Sequence, residues 1–337
     1  MKINNIDTDK KVLIIAEIGN NHEGSYTLAE ELVGLAIDAG VDAIKFQTFK
    51  TKYFVDNSDS KRYNLLKSFQ LKYSEFEKLS KYATDSGALF ISTPLDLKSA
   101  EFLVNIVDAI KISSGDNNFF SLIKNVAKSS KPIILSTGLS DMKMLRRVVK
   151  FIEQTCSKAN LKLNLGLLHC VSAYPVEPKY ANLNAINDIK NNFRYTVGYS
   201  DHTLGLNASL AAVGVGARII EKHFTKNKNF SSFRDHTLSA DPIEMKILVE
   251  RIREIESMLG SGIKHIMPPE NDNIQLMRRS AVAKNDLKKG KSLKNNDILW
   301  VRPAGEIEPG DENLIIGKKL IRNITAGKRL QLSDFID

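Results

Sequence analysis

Eight short runs of apolar and β-branched residues recur along the chain, each followed by a stretch whose apolar positions return every three or four residues. The runs are KVLIIAEIG from Lys11, AIKFQTF from Ala43, LFISTP from Leu89, AIKISSGD from Ala109, PIILSTG from Pro132, NLGLLHC from Asn164, YTVGYSDHT from Tyr195 and RIIEKHF from Arg218. The segments between them, such as TLAEELVGLAIDAG, SEFEKLSKYATDSG and MLRRVVKFIEQTC, are amphipathic and long enough to cross over a sheet as helices. Gly40 and Gly87 stand where helix C-terminal caps are expected. Eight strand-helix units in roughly 260 residues have the size and rhythm of an α/β fold closed as a (β/α)8 TIM barrel. The structural rival is an open doubly wound sheet, but neither GxGxxG nor GxxxxGK[ST] follows the first strand.

The rhythm breaks at IKHIMPPENDN, where a Pro-Pro pair among polar residues reads as a linker. Beyond about Leu276, short strands and glycine turns without a long helix predict a small β-rich module. The expected organisation is a barrel over 1–262, a linker over 263–275 and a C-terminal module over 276–337.

Composition narrows the function classes. Of the 337 residues, 42% are hydrophobic and 26% charged, and no apolar run is long enough to cross a bilayer. The opening MKINNIDTDKK lacks the apolar stretch of a secretory signal, and Cys156 and Cys170 have no paired spacing, so a cytoplasmic, reducing compartment is expected. A net charge of +9 admits a polyanion partner, but the lysines are interleaved with acids rather than massed, so neither nucleic acid nor membrane is expected as a partner. An enzyme handling an anionic small molecule accounts for the charge more simply, and a drift of surface positions towards lysine is the bland alternative.

In a barrel the active site is built at the C-terminal strand ends. Here those ends carry Glu17; Lys45 and Gln47; Ser92 and Thr93; Lys111, Ser114 and Asp116; Ser136 and Thr137; His169; Asp201 and His202; and Glu221 and His223. So many ionisable groups in strand contexts imply a polar cavity, because a buried charge is costly unless paired. Two lysines with neighbouring hydroxyls suit phosphate and carboxylate, and point to a small, doubly anionic ligand. Two other readings stay open: pairing of Lys45 and Lys111 with Glu17 and Glu221 in a purely structural network, or a Schiff-base lysine. His202 and His223 end adjacent strands and can share one divalent ion completed by water, carboxylate or substrate oxygen; Mn²⁺, or else Mg²⁺, suits such a site better than zinc. Each imidazole taken alone is more often a hydrogen-bonded structural residue. His22 falls in a loop, His265 in the linker, His169 at a packed strand end and His236 beside Asp235.

Taken in order, AEIGNNHEG, IKFQTF, STP, KISSGD, LSTG, LHCVSAYP, GYSDHT and EKHFT make the sequence resemble the sialic acid synthases and the wider nonulosonic acid synthases over essentially its whole length. The resemblance implies a (β/α)8 barrel followed by a SAF, or antifreeze-like, domain, to which RRSAVAKNDLKKGKSLKNNDILWVRPAG is similar. It implies condensation of phosphoenolpyruvate with N-acetylmannosamine to give N-acetylneuraminate and phosphate. A 2,4-diacetamido-2,4,6-trideoxyhexose, leading to legionaminic or pseudaminic acid, is the alternative acceptor. By motif position, Lys45, Thr93, Lys111, Ser114 and Ser136 are expected on phosphoenolpyruvate. Gln47, Tyr174 and Asp235 are expected on the sugar, His202 and His223 on the metal, and Glu17 beside the reacting carbons. Asp116 stands where the family commonly has Glu and is grouped with the catalytic residues, while Ser172 replaces an Asn of some relatives. A domain-swapped homodimer is implied as well, with Arg302 of WVRPAG reaching the sugar's N-acyl group on the partner's barrel. A different phosphoenolpyruvate-aldose synthase and a non-catalytic carbohydrate-binding protein are the remaining readings.

Overall fold

A computed structural model of the chain describes residues 1–336. Eight parallel strands close on themselves: β1 Leu13–Gly19, β2 Ala43–Thr48, β3 Leu89–Pro94, β4 Ala109–Ile112, β5 Ile133–Ser136, β6 Leu165–Cys170, β7 Thr196–Asp201 and β8 Ile219–His223, with β8 pairing back onto β1. Each of the eight apolar runs became one strand, and the predicted barrel is the fold. The helices that follow the strands are α1 Tyr26–Asp38, α2 Tyr73–Asp85, α3 Leu97–Leu103, α4 Phe120–Ala127, α5 Met142–Lys158, α6 Ala185–Asn192, α7 Asn207–Val215 and α8 Pro242–Leu259. Helix α5 illustrates why they form. Leu145, Val148, Val149, Ile152 and Cys156 recur on one buried face, and Asp141 caps the first turn by accepting the Met144 amide at 2.7 Å. Gly40 and Gly87, at φ +84° and +85°, end α1 and α2 in the left-handed region that suits glycine.

Period-two alternation divides the strand side chains into two sets. Ile14, Ile44, Phe46, Phe90, Ile110 and Leu135 pack outward under the helices. Leu13, Ile15, Ala43, Leu89, Ile91, Ala109, Ile134, Leu168 and Ile219 fill the barrel's lower interior, where Met1, Ile3 and Ile6 close it from below. Gly198 belongs to this interior because a Cβ there would meet the Ile219 carbonyl oxygen at 2.4 Å and Leu168 Cδ2 at 2.6 Å. Higher along the same inward-facing rows the residues turn polar: Glu17 follows Ile15, Lys45 and Gln47 follow Ala43, Thr93 follows Ile91, Lys111 follows Ala109, and Glu221 and His223 follow Ile219.

The chain divides into two compact units, Met1–Gly260 and a second that begins at Ser261. In the second unit Ser280–Ala283 pairs antiparallel with Ile298–Val301, around a small core that includes Leu287, Leu293, Ile307, Ile315 and Leu330. The second half of the segment read as a linker is a helix, Asn271–Met277. Pro268 opens the 3-10 turn before it, and the Glu270 carboxylate accepts the Met267 amide at 2.7 Å, so the proline pair starts a helix there instead of only breaking one. Among the described residues no helix is long and apolar enough to cross a membrane.

Candidate active site

The polar upper interior of the barrel is a buried ion network. Lys45 Nζ lies 2.8 Å from Glu17 Oε2 and 3.5 Å from Glu221 Oε1, while Lys111 Nζ is 3.0 Å from both oxygens of Glu221. Thr93 Oγ1 accepts from Lys45 at 3.2 Å, Ser200 Oγ donates to Glu221 at 3.2 Å, and Gln47 Nε2 donates to Glu17 at 3.1 Å. Strand register accounts for the convergence, because Glu17 lies opposite His223 on one side and Lys45 on the other, and Gln47 lies opposite Thr93.

The two carboxylates are not equivalent. Burial alone would raise Glu221, but Lys111 and then Lys45 outweigh it and bring its pKa down to about 2. Burial also raises Glu17, and there the single ammonium of Lys45 does not overcome it; the charge of Glu221 pushes the same way. Lys45 is desolvated, but Glu17 and Glu221 more than compensate and hold it above the ordinary lysine value, whereas Lys111 stays below it because burial prevails over Glu221. Neighbouring acids thus differ in proton affinity because one faces two ammonium groups and the other only one.

On the far side of Glu17, the His202 and His223 rings stand 5.4 Å apart, centroid to centroid. His202 Nδ1 bonds the Val171 carbonyl at 2.9 Å; since a carbonyl only accepts, Nδ1 carries a proton there, and Nε2 is the nitrogen left for another partner. The His223 ring is buried, its Nδ1 has no hydrogen-bond partner among the described residues, and burial lowers its pKa to about 4. Two imidazoles facing one another at this distance fit one divalent ion. No third His, Cys, Asp or Glu completes a protein-only cage among the described residues, so an ion held there would need water or substrate oxygen in its remaining positions. Tyr174 packs on His202 at 4.2 Å, the Arg234 guanidinium lies 4.4 Å above the Tyr174 ring, and buried Asp235 accepts from Arg234 Nε at 3.1 Å.

Serine hydroxyls form a third group. At Gly138 a Cβ would meet Ser172 Oγ at 2.4 Å and Ser114 Oγ at 2.6 Å, and Ser172 Oγ is buried without a partner. Asn117 Nδ2 holds this turn by donating to the carbonyls of Ser136 and Gly138, at 3.3 and 2.8 Å. The hydroxyls of Ser114 and Ser172 thus stand close together over this turn.

The structure thus gathers Glu17, Lys45, Gln47, Thr93 and Lys111 into one network, with His202, His223, Tyr174 and Asp235 beside Glu17. Ser114 and Ser136 lie at the Gly138 turn. Asp116 accepts locally from Ser113 Oγ at 2.6 Å, and Arg302 is an exposed residue of the second unit, directly after its second strand. Glu221 was legible as a strand-end group or structural partner, and two-residue spacing from His223 was the signal that it faces inward. Nothing in the sequence pattern pointed to Arg234. His169 faces outward, its Nε2 on the Ala181 carbonyl at 2.8 Å.

His22, in the loop after β1, is fully buried with Nε2 unpartnered, and burial lowers its pKa to about 4 despite the Gly19 carbonyl. The unfolded chain therefore binds more protons between pH 6.5 and 4, and stability falls as pH drops through that window, by on the order of 3 kcal/mol for this group. Urea unfolding at pH 7 and pH 4.5 should show His22→Gln losing less stability on acidification than the wild type. An equal loss in both proteins would mean that His22 is not the titrating group.

The NeuB family profile matches residues 32–264 and the SAF domain profile residues 278–336. An uncharacterised protein of Methanocaldococcus jannaschii is 46% identical, with 91% of this chain and 89% of that protein aligned. The N,N'-diacetyllegionaminic acid synthase of Campylobacter jejuni is 37% identical over 93% of this chain and 97% of its own length. Among solved structures, the N-acetylneuraminic acid (sialic acid) synthetase of Leptospira borgpetersenii, in complex with citrate, superposes with a TM-score of 0.76 at 33% identity, covering 81% of this chain and 94% of that one.

Proposed function

The chain belongs to the NeuB family and carries a SAF domain after the barrel in its sequence, and on that footing we propose that it condenses phosphoenolpyruvate with the open-chain aldehyde of an N-acylated amino sugar, giving a nonulosonic acid and inorganic phosphate. The observation that carries the reading is the convergence of Lys45 and Lys111 on Glu221 beside the facing imidazoles of His202 and His223. The two ammonium groups and the hydroxyls of Thr93, Ser114 and Ser136 bind the phosphate and carboxylate, and hold C3 of phosphoenolpyruvate against the sugar carbonyl. A new bond forms from C3 to the aldehyde carbon, water adds at C2, and the C2–O bond to phosphate breaks. Glu17 is the proton-exchanging group beside these carbons, its pKa raised by burial to suit that work.

His202 and His223 would hold the metal, Mn²⁺ in our reading; a divalent ion there supplies Lewis-acid stabilisation to an oxygen that gains negative charge. Gln47, Tyr174 and Asp235 face the acceptor. The relative named for N,N'-diacetyllegionaminic acid matches almost end to end at 37% identity, against 33% for the sialic acid synthetase structure. That moves the preferred acceptor from N-acetylmannosamine to a 2,4-diacetamido-2,4,6-trideoxyhexose. A homodimer in which Arg302 recognises the N-acyl group is part of the same proposal.

The test is phosphate release from phosphoenolpyruvate with N-acetylmannosamine, its 6-phosphate and the diacetamido hexose in turn, with Mn²⁺ and after chelation. Turnover should be fastest with the diacetamido sugar and should vanish on chelation. Release with none of the three would sink the reaction, and full activity in metal-stripped protein would sink the imidazole role.

A further inference from the structure

A cavity of about 670 Å³ opens at the opposite end of the barrel, under the starts of β6, β7 and β8. It lies far along the strands from the ion network, and nothing in the proposed reaction uses it. Its lining is polar and cationic: Lys190 from the last turn of α6, Arg194 before β7, Arg218 before β8, with Asn164 and Thr196 between them and Asp9 as the one lining carboxylate.

The cations are incompletely partnered. Lys190 has neither a carboxylate nor a hydrogen-bond acceptor among the described residues, and its ammonium sits 3.6 Å from where a Cβ on Gly216 would stand. Arg218 donates Nε to the Thr8 carbonyl at 2.6 Å and has no carboxylate within ion-pair distance among the described residues. Arg194 lies a loose 3.8 Å from Glu153, whose oxygen already accepts the Tyr195 hydroxyl at 2.5 Å. A helix C-terminus accounts for a lysine at 190 and a backbone staple accounts for Arg218 Nε. Neither explains two guanidinium groups and an ammonium lining one open cavity with a single acid.

We propose that this cavity is a second ligand site, for a phosphate-bearing small molecule of nucleoside diphosphate size. The volume is within the range of small-molecule sites, and planar guanidinium groups bind phosphate oxygens two at a time, with the lysine adding a point charge. Ring and sugar atoms would occupy the part of the cavity lined by Asn164 and Thr196. The site is independent of the reaction proposed above and stands or falls without it.

Calorimetric titration of uridine diphosphate, pyrophosphate and orthophosphate into the full chain, with phosphoenolpyruvate saturating, keeps the catalytic end occupied. One equivalent of the nucleotide should bind per chain, more tightly than orthophosphate. The exposed pair Lys190→Ala and Arg194→Ala, substituted together, should weaken it at least about ten-fold, the effect of a lost charged hydrogen bond, while leaving phosphate release from phosphoenolpyruvate unchanged. No nucleotide binding, the same affinity in the double variant, or equal affinity for orthophosphate would overturn the proposal.

Discussion

Glu17→Gln should cost about 10²–10⁴ in kcat, the usual worth of a positioned acid-base group, and some stability with it. Folding raises the Glu17 pKa above that of the unfolded chain, first through burial and then through the charge of Glu221, against the pull of Lys45. A carboxyl raised in this way suits proton exchange, and its own contribution to the fold declines as pH climbs through its folded pKa, because the native state then binds more protons than the unfolded one. The amide oxygen can keep the bond from Gln47 at 3.1 Å, but its NH2 then faces the Lys45 ammonium, which loses its 2.8 Å partner and keeps only Glu221 at 3.5 Å. Steady-state phosphate release and a melting curve at pH 7 check the pair. Unaltered kcat would remove Glu17 from the chemistry, and lost stability with normal kcat would make it a structural partner of Lys45.

The strands and the inward-facing residues were legible because both follow from short-range pattern. Apolar runs of a few residues mark strands buried on both faces, and once Leu13 and Ile15 are placed inside the barrel, alternation puts Glu17 inside with them. The same step carries Ile219 to Glu221 and His223. What pattern does not contain is distance. Whether Lys111 reaches Glu221 or some other acid depends on barrel closure and stagger, which are properties of all eight strands together. Arg234 is harder still: it lies on a five-residue helix after β8, and it gains meaning only where its guanidinium covers Tyr174, from a different loop. The Asn271–Met277 helix shows the reverse problem, a proline pair that breaks one pattern and opens the next.

Lys111→Met decides between a structural ion network and an anion-binding one. Removing one ammonium leaves Glu221 desolvated with only Lys45, 3.5 Å away, and breaking a buried pair on one side costs about 3–5 kcal/mol. Lost stability is expected under either reading, so it discriminates nothing by itself. The double variant Lys111→Met with Glu221→Gln does discriminate, because it withdraws the stranded charge and should recover most of the stability. In wild type, phosphoenolpyruvate at a hundred times its Kd should stabilise the fold by about 2.7 kcal/mol. If Lys111 grips the ligand, that increment disappears in the single variant and stays absent in the repaired double variant. Calorimetric melting of the three proteins with and without phosphoenolpyruvate reads both quantities at once. A double variant that recovers its stability and also responds to phosphoenolpyruvate like wild type would assign Lys111 to the scaffold, and the proposed anion site would have to be found elsewhere in the barrel.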